Sequence, residues 1–123
     1  MKHITFAAAA LAIFAVPALA EDITKHDSAL GEVLADANGM TLYTFDKDTD
    51  GTSSCYDQCA ENWPPLIASE GAAAYDEYGL TERTDGTMQW TYDGKPLYLF
   101  IKDAAPGDTA GDGVKDVWHV VKE

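Results

Sequence analysis

A duplicated segment constrains this chain more than any other feature. Residues 38–48 align with residues 93–103 at an offset of 55, and both copies carry a turn glycine, a leucine and the pattern Tyr-x-Phe-x-x-Asp. Such a repeat indicates that one supersecondary unit occurs twice and that the two copies pack against each other. The sequence therefore predicts repeat units at about 31–67 and 86–122.

Each repeat unit is predicted to contain a β-hairpin. Asn38-Gly39 and Asp93-Gly94 are dipeptides that accept positive φ at a tight turn, and each lies between runs rich in β-branched and aromatic residues. The predicted strand pairs are 32–37 with 40–45, and 88–92 with 96–101.

Weaker patterns place the remaining elements. A short helix is expected at 54–62, with Ser53 or Ser54 as its cap, and Trp63-Pro64-Pro65 would end it. A last strand is expected at 116–122. The sequence thus predicts a mainly β fold, a small single domain of two repeated β-hairpin units with one short disulfide-containing helix between them.

The repeated motif places aromatic and acidic side chains at fixed positions. Its residues are Tyr43, Phe45 and Asp48 in the first copy and Tyr98, Phe100 and Asp103 in the second. Tyrosine and phenylalanine two residues apart project from one face of a strand, so the aromatic pairs are expected to fill the core between the hairpins; lining a ligand site is the alternative. Each aspartate follows a strand, where it can accept backbone N–H groups of the next turn.

The first twenty residues have the pattern of a secretory signal peptide. Lys2 precedes an apolar run at 4–16, and Ala18-Leu19-Ala20 fits the small-x-small cleavage rule. The run is shorter than the ~20 residues that span a bilayer, so we expect cleavage between Ala20 and Glu21 rather than a membrane anchor. The domain at 21–123 would then be soluble, in the periplasm or outside the cell.

The charge of the exported domain excludes several classes of partner. The chain has 8 basic and 21 acidic residues, and loss of the signal peptide removes only Lys2, which leaves a formal charge of −14. Nucleic acids and anionic lipids are bound through clustered Lys and Arg. The expected partner is therefore an extracytoplasmic protein or a small ligand, with no nucleic acid and no membrane anchor.

Several further motifs occur in order along the chain. After Tyr43-x-Phe45-x-x-Asp48 and around Tyr98-x-Phe100-x-x-Asp103 stand Cys55-x-x-x-Cys59-Ala60-x-x-Trp63-Pro64-Pro65-Leu66, Pro106-Gly107-Asp108-Thr109 and Val117-Trp118-His119-Val120-Val121. Together they resemble the secreted-repeat family of predicted lipoproteins with the Tyr-x-aromatic-x-x-Asp motif. The resemblance implies an exported domain of unassigned function. The chain lacks the cysteine after the signal that a lipid anchor requires, since Glu21 stands there.

The two cysteines are four residues apart in a chain expected to be exported. An oxidising compartment favours a disulfide between Cys55 and Cys59, at a helix end or distorted turn. The alternative is a redox-active pair, in which Cys55 near a helix N-terminus would be the nucleophile. Asp57 and Glu61 oppose a thiolate, and the spacing has three intervening residues.

The segment after the first motif strand matches the opening of a calcium loop. Asp46, Asp48 and Asp50 occupy positions one, three and five, before a glycine. Thr52 would follow at position seven, with Ser54 at nine and Asp57 at twelve. No cofactor is otherwise expected, and calcium is the alternative to a solvated acidic turn.

No catalytic motif occurs in the sequence. Gly-x-Ser-x-Gly, His-Glu-x-x-His and a glycine-rich phosphate loop are all missing, and His119 is interpreted as a strand residue rather than a base. The sequence therefore favours a non-catalytic binding or interaction module. A calcium-binding module and a thiol–disulfide protein remain the alternatives.

Overall fold

The computed structural model describes residues 22–123, and the predicted signal peptide lies outside them. This range folds into short strands with one α-helix and one 3₁₀ helix, so the expected mainly β fold with two repeats is confirmed. The elements are β1 (Ile23–Ser28), β2 (Gly31–Asp36), β3 (Tyr43–Phe45), α1 (Gln58–Asn62), β4 (Tyr78–Glu82), β5 (Met88–Tyr92), β6 (Lys95–Pro96), the 3₁₀ helix (Val114–Asp116) and β7 (Trp118–Val120).

The first repeat is built on an antiparallel pair that the hairpin signal did not predict. β1 pairs with β2, and β2 meets the chain after the turn only through the bridge between Ala35 and Thr41. The predicted pairing of 32–37 with 40–45 therefore ends at Leu42, whose N–H donates to the Leu34 carbonyl at 3.0 Å. Beyond it, β3 leaves the hairpin and pairs with β7, because an isolated two-stranded hairpin cannot bury the aromatic face of its own strand.

The second repeat has the same arrangement. β4 pairs with β5, and β5 pairs with β6, so the second predicted hairpin is present next to its turn. After Leu97, whose N–H donates to the Trp90 carbonyl at 2.9 Å, this chain segment also crosses to the other repeat. β1 and β4 were missed because each is short and mixes polar residues or glycine with few apolar ones.

The two repeats exchange their motif strands about a local twofold axis. Tyr43 and Tyr98 lie beside this axis and exchange both backbone hydrogen bonds, at 2.8 and 2.9 Å. β3 of the first repeat pairs with β7 of the second, and the strand around Tyr98 pairs with Pro65 of the first. Each repeat therefore completes the other, and neither half has its full set of strand partners alone.

The core divides into two clusters, one on each face of the exchanged strands. One is mainly aliphatic, with Tyr78 and Trp90 as its aromatic members, and includes Leu42 and Leu97, both fully buried. The other is aromatic and contains both motif tyrosines, Trp63 and Trp118. The alternation of strand faces explains why a leucine and the tyrosine next to it enter different clusters.

The helix and the last strand are shorter than expected. α1 begins at Gln58, with Asp57 at its N-cap and no side-chain cap bond, so the prediction of a helix from Ser54 capped by a serine was wrong. The two serines use their side chains elsewhere, as described below. The 3₁₀ helix ends at Asp116, the first residue of the predicted strand at 116–122. Asp116 has φ +62, which no strand accommodates, and β7 begins only at Trp118.

Candidate functional site

Each motif tyrosine is bonded to the motif aspartate of the other repeat. The hydroxyl of Tyr43 donates to Oδ2 of Asp103 at 2.6 Å, and the hydroxyl of Tyr98 donates to Oδ2 of Asp48 at 2.7 Å. Both tyrosines have no exposed surface. These two Tyr–Asp pairs hold the exchanged strands in register, since a hydroxyl-to-carboxylate bond is charge-assisted.

The second oxygen of each motif aspartate closes the loop that follows it. Oδ1 of Asp48 accepts the N–H of Ser54 at 2.8 Å, and Oδ1 of Asp103 accepts the N–H of Ala110 at 2.8 Å. One carboxylate therefore joins its own loop to the tyrosine of the other repeat. The tyrosine of each motif copy is bonded to the aspartate of the other copy, so the contact requires the motif in both repeats.

Burial changes the acid–base properties of these groups. It raises the pKa of Tyr43 and of Tyr98, and the aspartate that each hydroxyl meets raises it further. Burial also raises the pKa of Asp103 above its ordinary range, although hydrogen bonds from Tyr43 and Ala110 act the other way. Both phenols therefore stay protonated as hydrogen-bond donors at neutral pH.

Asp22 contrasts with Asp103. Burial acts to raise the pKa of Asp22, but hydrogen bonds from Ser69 and from the Trp90 indole outweigh it, so this pKa lies below its ordinary value. The stabilisation from Asp22 is present above the unfolded-state pKa of about 3.9 and is lost as the pH falls through its folded pKa. The contribution of Asp103 is present below about 3.9 and is lost as the pH rises through its folded pKa.

A carboxyl-detected NMR titration should separate these two aspartates. We expect the midpoint of Asp103 to lie above about 3.9 and the midpoint of Asp22 to lie below it. A midpoint of Asp103 below that of Asp22 would contradict the hydrogen bonding described for both groups.

Four aromatic rings stack across the local twofold axis. They follow one another in the order Phe45, Trp118, Trp63, Phe100. The two central indoles are parallel within 1° at a centroid distance of 3.8 Å, and the outer pairs lie at 4.1 and 3.9 Å. A motif tyrosine meets each indole edge-on, at 5.4 and 5.2 Å. This stack is the centre of the interface between the repeats.

The surroundings of the two tyrosine hydroxyls differ. The hydroxyl of Tyr43 accepts the N–H of Gly111 directly, at 3.1 Å. The hydroxyl of Tyr98 instead lies 2.6 Å from Oγ of Ser53. Since Tyr98 gives its single proton to Asp48, Ser53 must be the donor in this contact.

Arg83 follows β4 of the second repeat and is buried against Ser53 of the first repeat. One guanidinium nitrogen donates to Oγ of Ser53 at 3.0 Å and to Oε1 of Gln89 at 2.8 Å, and the other donates to the Cys55 carbonyl at 2.8 Å. The guanidinium also lies 4.2 Å from the ring centroid of Tyr56. Arg83, with 6% of its surface exposed, thus fixes the loop that carries the disulfide.

The two cysteines form the expected disulfide, with Cα atoms 5.2 Å apart. Cys55 precedes α1 and is fully buried in the aromatic cluster, whereas Cys59 lies inside α1 and is half-buried. The N–H of Cys55 donates to Oγ of Ser53 at 3.2 Å. The disulfide loop is therefore joined to the hydroxyl of Tyr98 through one side chain. Thiol–disulfide activity stays a prediction.

An open pocket of about 250 Å³ lies where the loop of the first repeat faces the second turn glycine. We call it the acidic pocket. It is lined by Thr44, Phe45, Asp46, Asp48, Asp50, Gly51, Gly94, Lys95 and Pro96. A hydrogen atom of Gly94 could be replaced by a methyl group without meeting another atom within 4 Å, which shows how open this side is.

The equivalent place in the other repeat is filled. A Cβ on Gly39, the counterpart of Gly94, would lie 3.1 Å from Pro106 and 3.2 Å from His26. Oγ1 of Thr41 also donates to the Asp108 carbonyl at 2.6 Å, which ties that loop down. The counterpart of Thr41 is Pro96, which has no hydroxyl to do the same. The acidic pocket is thus a departure from the internal symmetry.

The residues proposed for calcium do not converge. Oδ2 of Asp46 contacts Nε2 of His119 at 2.8 Å, and both oxygens of Asp48 accept hydrogen bonds from protein groups. Thr52 donates its N–H to the Thr49 carbonyl at 2.9 Å in a tight turn. Within residues 22–123, no three His, Cys, Asp or Glu side chains are grouped closely enough to hold a metal ion. Calcium binding through the segment from Asp46 to Asp57 stays a prediction.

The other sequence-derived residues have structural neighbours. Pro64 and Pro65 are half-buried and pair with the second motif strand, where the Pro64 carbonyl accepts the N–H of Leu99 at 2.7 Å. His119 lies in β7, half-buried beside Asp46. The contacts of Arg83 and Ser53 with the disulfide loop were not predicted from the sequence. The one signal in the sequence was that Arg83 is the only arginine in an acidic chain.

These features define a class of protein: a two-repeat β domain whose copies exchange strands and are joined by reciprocal Tyr–Asp pairs around an aromatic stack. The chain belongs to the family described as a secreted repeat of unknown function, whose model matches residues 25–67 and 79–122. The matched segments include most of β1 and most of β4, which lie before the predicted repeat units. Searches of curated proteins and of solved structures gave no match.

The family is described as secreted. None of the helices within 22–123 is long and apolar enough to cross a membrane.

Proposed function

We propose that this chain is an exported, non-catalytic binding module that receives a cationic side chain of a protein partner in the acidic pocket, in the periplasm or outside the cell. The open pocket on one side of an otherwise twofold fold carries this proposal. Because this position is filled in one repeat and open in the other, its surface can vary while the contacts that both repeats share are kept.

The contacts of the motif residues give them a structural role and leave little room for another. The motif tyrosines are fully buried and each hydroxyl is bonded to a carboxylate. Every buried side-chain nitrogen and oxygen in residues 22–123 has a hydrogen-bond partner. Reactive groups are usually under-satisfied or have strongly altered pKa values in a cleft, so this pattern supports binding rather than catalysis.

The chemistry of the acidic pocket favours a cation. The carboxylates of Asp46 and Asp50 are exposed beside the ring of Phe45, and carboxylates with an aromatic face are the groups that bind guanidinium and ammonium ions. Lys95 also lines the pocket and offsets part of this charge. The formal charge of −14 expected for the exported domain adds long-range attraction for a basic partner.

The size of the acidic pocket favours a side chain over a free metabolite. Its volume of about 250 Å³ lies below the ~300–1,000 Å³ of usual small-molecule sites. One arginine or lysine head group on a protein surface would occupy it.

Peptide titrations followed by ¹⁵N NMR test this proposal on the chain from residue 21 onward. A short Gly/Ser peptide with one central arginine should shift the amide signals of 45–51 and 94–95, with a dissociation constant on the order of 1 mM. The same peptide with citrulline, which is neutral and nearly the same shape, should bind at least about tenfold more weakly. Equal binding of the two peptides, or shifts spread outside these segments, would contradict the proposal.

Two matched variants locate the effect. Asp50→Asn removes one pocket charge at a residue with φ +52 and should weaken arginine-peptide binding severalfold. Asp76→Asn makes the same change at an exposed residue with φ +50, outside the pocket, and should leave binding unchanged. A third titration with calcium chloride distinguishes the alternative: saturable shifts at 46–57 with calcium but not with the peptide would favour the calcium module.

A further inference from the structure

The acidic pocket, the disulfide and the buried Arg83 all lie on the same side of the local twofold axis. We propose that the redox state of the Cys55–Cys59 disulfide controls the shape of the acidic pocket through Ser53 and Tyr98. This inference rests on the proposed function, because it concerns the regulation of the same site. The positions of these groups in the fold carry it.

A continuous set of short contacts joins the disulfide to the pocket wall. The N–H of Cys55 donates to Oγ of Ser53 at 3.2 Å, and the hydroxyl of Ser53 donates to that of Tyr98 at 2.6 Å. Tyr98 in turn donates to Asp48 at 2.7 Å, and Asp48 lines the acidic pocket. Arg83 bonds both the Cys55 carbonyl and Ser53, so a shift of the Cys55 peptide changes two of these contacts together.

The second repeat shows that the fold does not need this route. The hydroxyl of Tyr43, from the first repeat, contacts a loop of the second repeat. It accepts its hydrogen bond from the backbone N–H of Gly111, at 3.1 Å, with no intervening side chain. No cysteine occurs in that repeat. The hydrogen bond that the Tyr43 hydroxyl accepts therefore does not come from the disulfide loop, whereas the one that the Tyr98 hydroxyl accepts comes from Ser53 in the loop that the disulfide closes.

The disulfide loop holds one residue in an unfavourable backbone conformation. Asp57, between the two cysteines, has φ 54 and ψ −124, which is a sparsely populated region for any residue except glycine. Asp112, the counterpart of Asp57 at the offset of 55, has no positive φ. When the disulfide opens, Asp57 can return to negative φ and rotate the adjoining Tyr56–Cys55 segment.

The reaction that opens the loop is exchange with a dithiol. One thiolate of the dithiol attacks Sγ of Cys59, which is half-buried, whereas Cys55 is fully buried. The Cys59–Cys55 bond breaks, and Cys55 leaves as a thiolate that takes up a proton. The second thiol of the dithiol then attacks the mixed disulfide, releases Cys59 and leaves as its own disulfide. Two electrons pass from the dithiol to the protein.

NMR on the chain from residue 21 onward tests the coupling without a ligand. In the oxidised protein the hydroxyl protons of Tyr98 and Tyr43 should both give slowly exchanging signals, since each donates to a carboxylate inside the core. Dithiothreitol should abolish or shift the Tyr98 hydroxyl signal and the Ser54 amide signal, and leave the Tyr43 hydroxyl signal in place. The double variant Cys55→Ala, Cys59→Ala should give the same pattern without a reductant.

Each result decides the matter. Unchanged Tyr98 and Ser54 signals in both the reduced protein and the double variant would overturn the inference. Loss of the Tyr43 signal together with that of Tyr98 in both samples would also overturn it, since the disulfide would then support the whole fold. If only one of the two samples unfolds, the other gives the answer.

Peptide affinity separates this inference from the proposed function. Reduction should change the dissociation constant of the arginine peptide about fivefold or more. If the oxidised protein does not bind the peptide, the proposed function fails, while the hydroxyl signals still report the coupling. If the oxidised protein binds the peptide and reduction leaves the affinity unchanged, the control of the pocket by the disulfide fails and the proposed function stands.

Discussion

Replacing Trp63 with alanine is expected to lower the free energy of unfolding by about 3–5 kcal/mol, the range for a large aromatic side chain removed from a core. Trp63 is 6% exposed and lies between Trp118 and Phe100, with ring centroids at 3.8 and 3.9 Å. Tyr43 also meets its ring edge-on at 5.4 Å. The loss would be a large part of the 5–15 kcal/mol typical of a small domain, roughly a third or more.

Urea unfolding of the chain from residue 21 onward measures this loss. Ile101→Ala is the control, because Ile101 is an apolar residue with 59% of its surface exposed, and it should change the stability by no more than about 0.5 kcal/mol. A loss for Trp63→Ala as small as the control's would mean that the aromatic stack does not hold the two repeats together.

Replacing Arg83 with methionine is expected to lower the free energy of unfolding by at least about 2 kcal/mol, because three buried acceptors lose a hydrogen bond and only Oγ of Ser53 keeps another donor, the N–H of Cys55. The acceptors are Oγ of Ser53, Oε1 of Gln89 and the Cys55 carbonyl. Methionine fills much of the volume of arginine but donates no hydrogen bond. Each acceptor left unsatisfied in the core costs about 1–3 kcal/mol.

Arg83→Lys is expected to recover little of this stability. A lysine ammonium is a compact charge that cannot reproduce the planar fork of a guanidinium over Tyr56 and toward acceptors in two directions. Lys102→Met serves as the control at an exposed site. Wild-type stability of Arg83→Met, or full recovery by lysine, would contradict the contacts assigned to the guanidinium.

The two substitutions act on different parts of the fold. Trp63 lies in the stack that both repeats share, whereas Arg83 lies only on the side that carries the disulfide and the acidic pocket. Because the repeats exchange strands, damage to either part removes partners from both. We therefore expect one cooperative unfolding transition in every variant that folds.

The sequence alone determined the features of the fold that depend on residues close together in the chain. The offset of 55 revealed the repeat, the Asn-Gly and Asp-Gly dipeptides located the turns, and strand alternation placed Leu42 and Tyr43 on opposite faces. The spacing of Cys55 and Cys59 in an exported chain indicated the disulfide. These properties follow from backbone preferences and from the two-residue period of a strand.

Only the tertiary structure decided which strands meet. A hairpin signal states that a chain turns, but the pairing of β3 with β7 joins residues 73 to 77 positions apart, and the reciprocal Tyr–Asp pairs join residues 60 and 50 positions apart. The same holds for Arg83, whose burial is tolerated only because Gln89 on β5 and the distant loop that carries Ser53 and Cys55 supply acceptors. The acidic pocket includes Pro96, whose counterpart Thr41 donates its hydroxyl to the Asp108 carbonyl. Local preferences act within a few residues, whereas burial, charge compensation and a pocket depend on what the folded chain brings together.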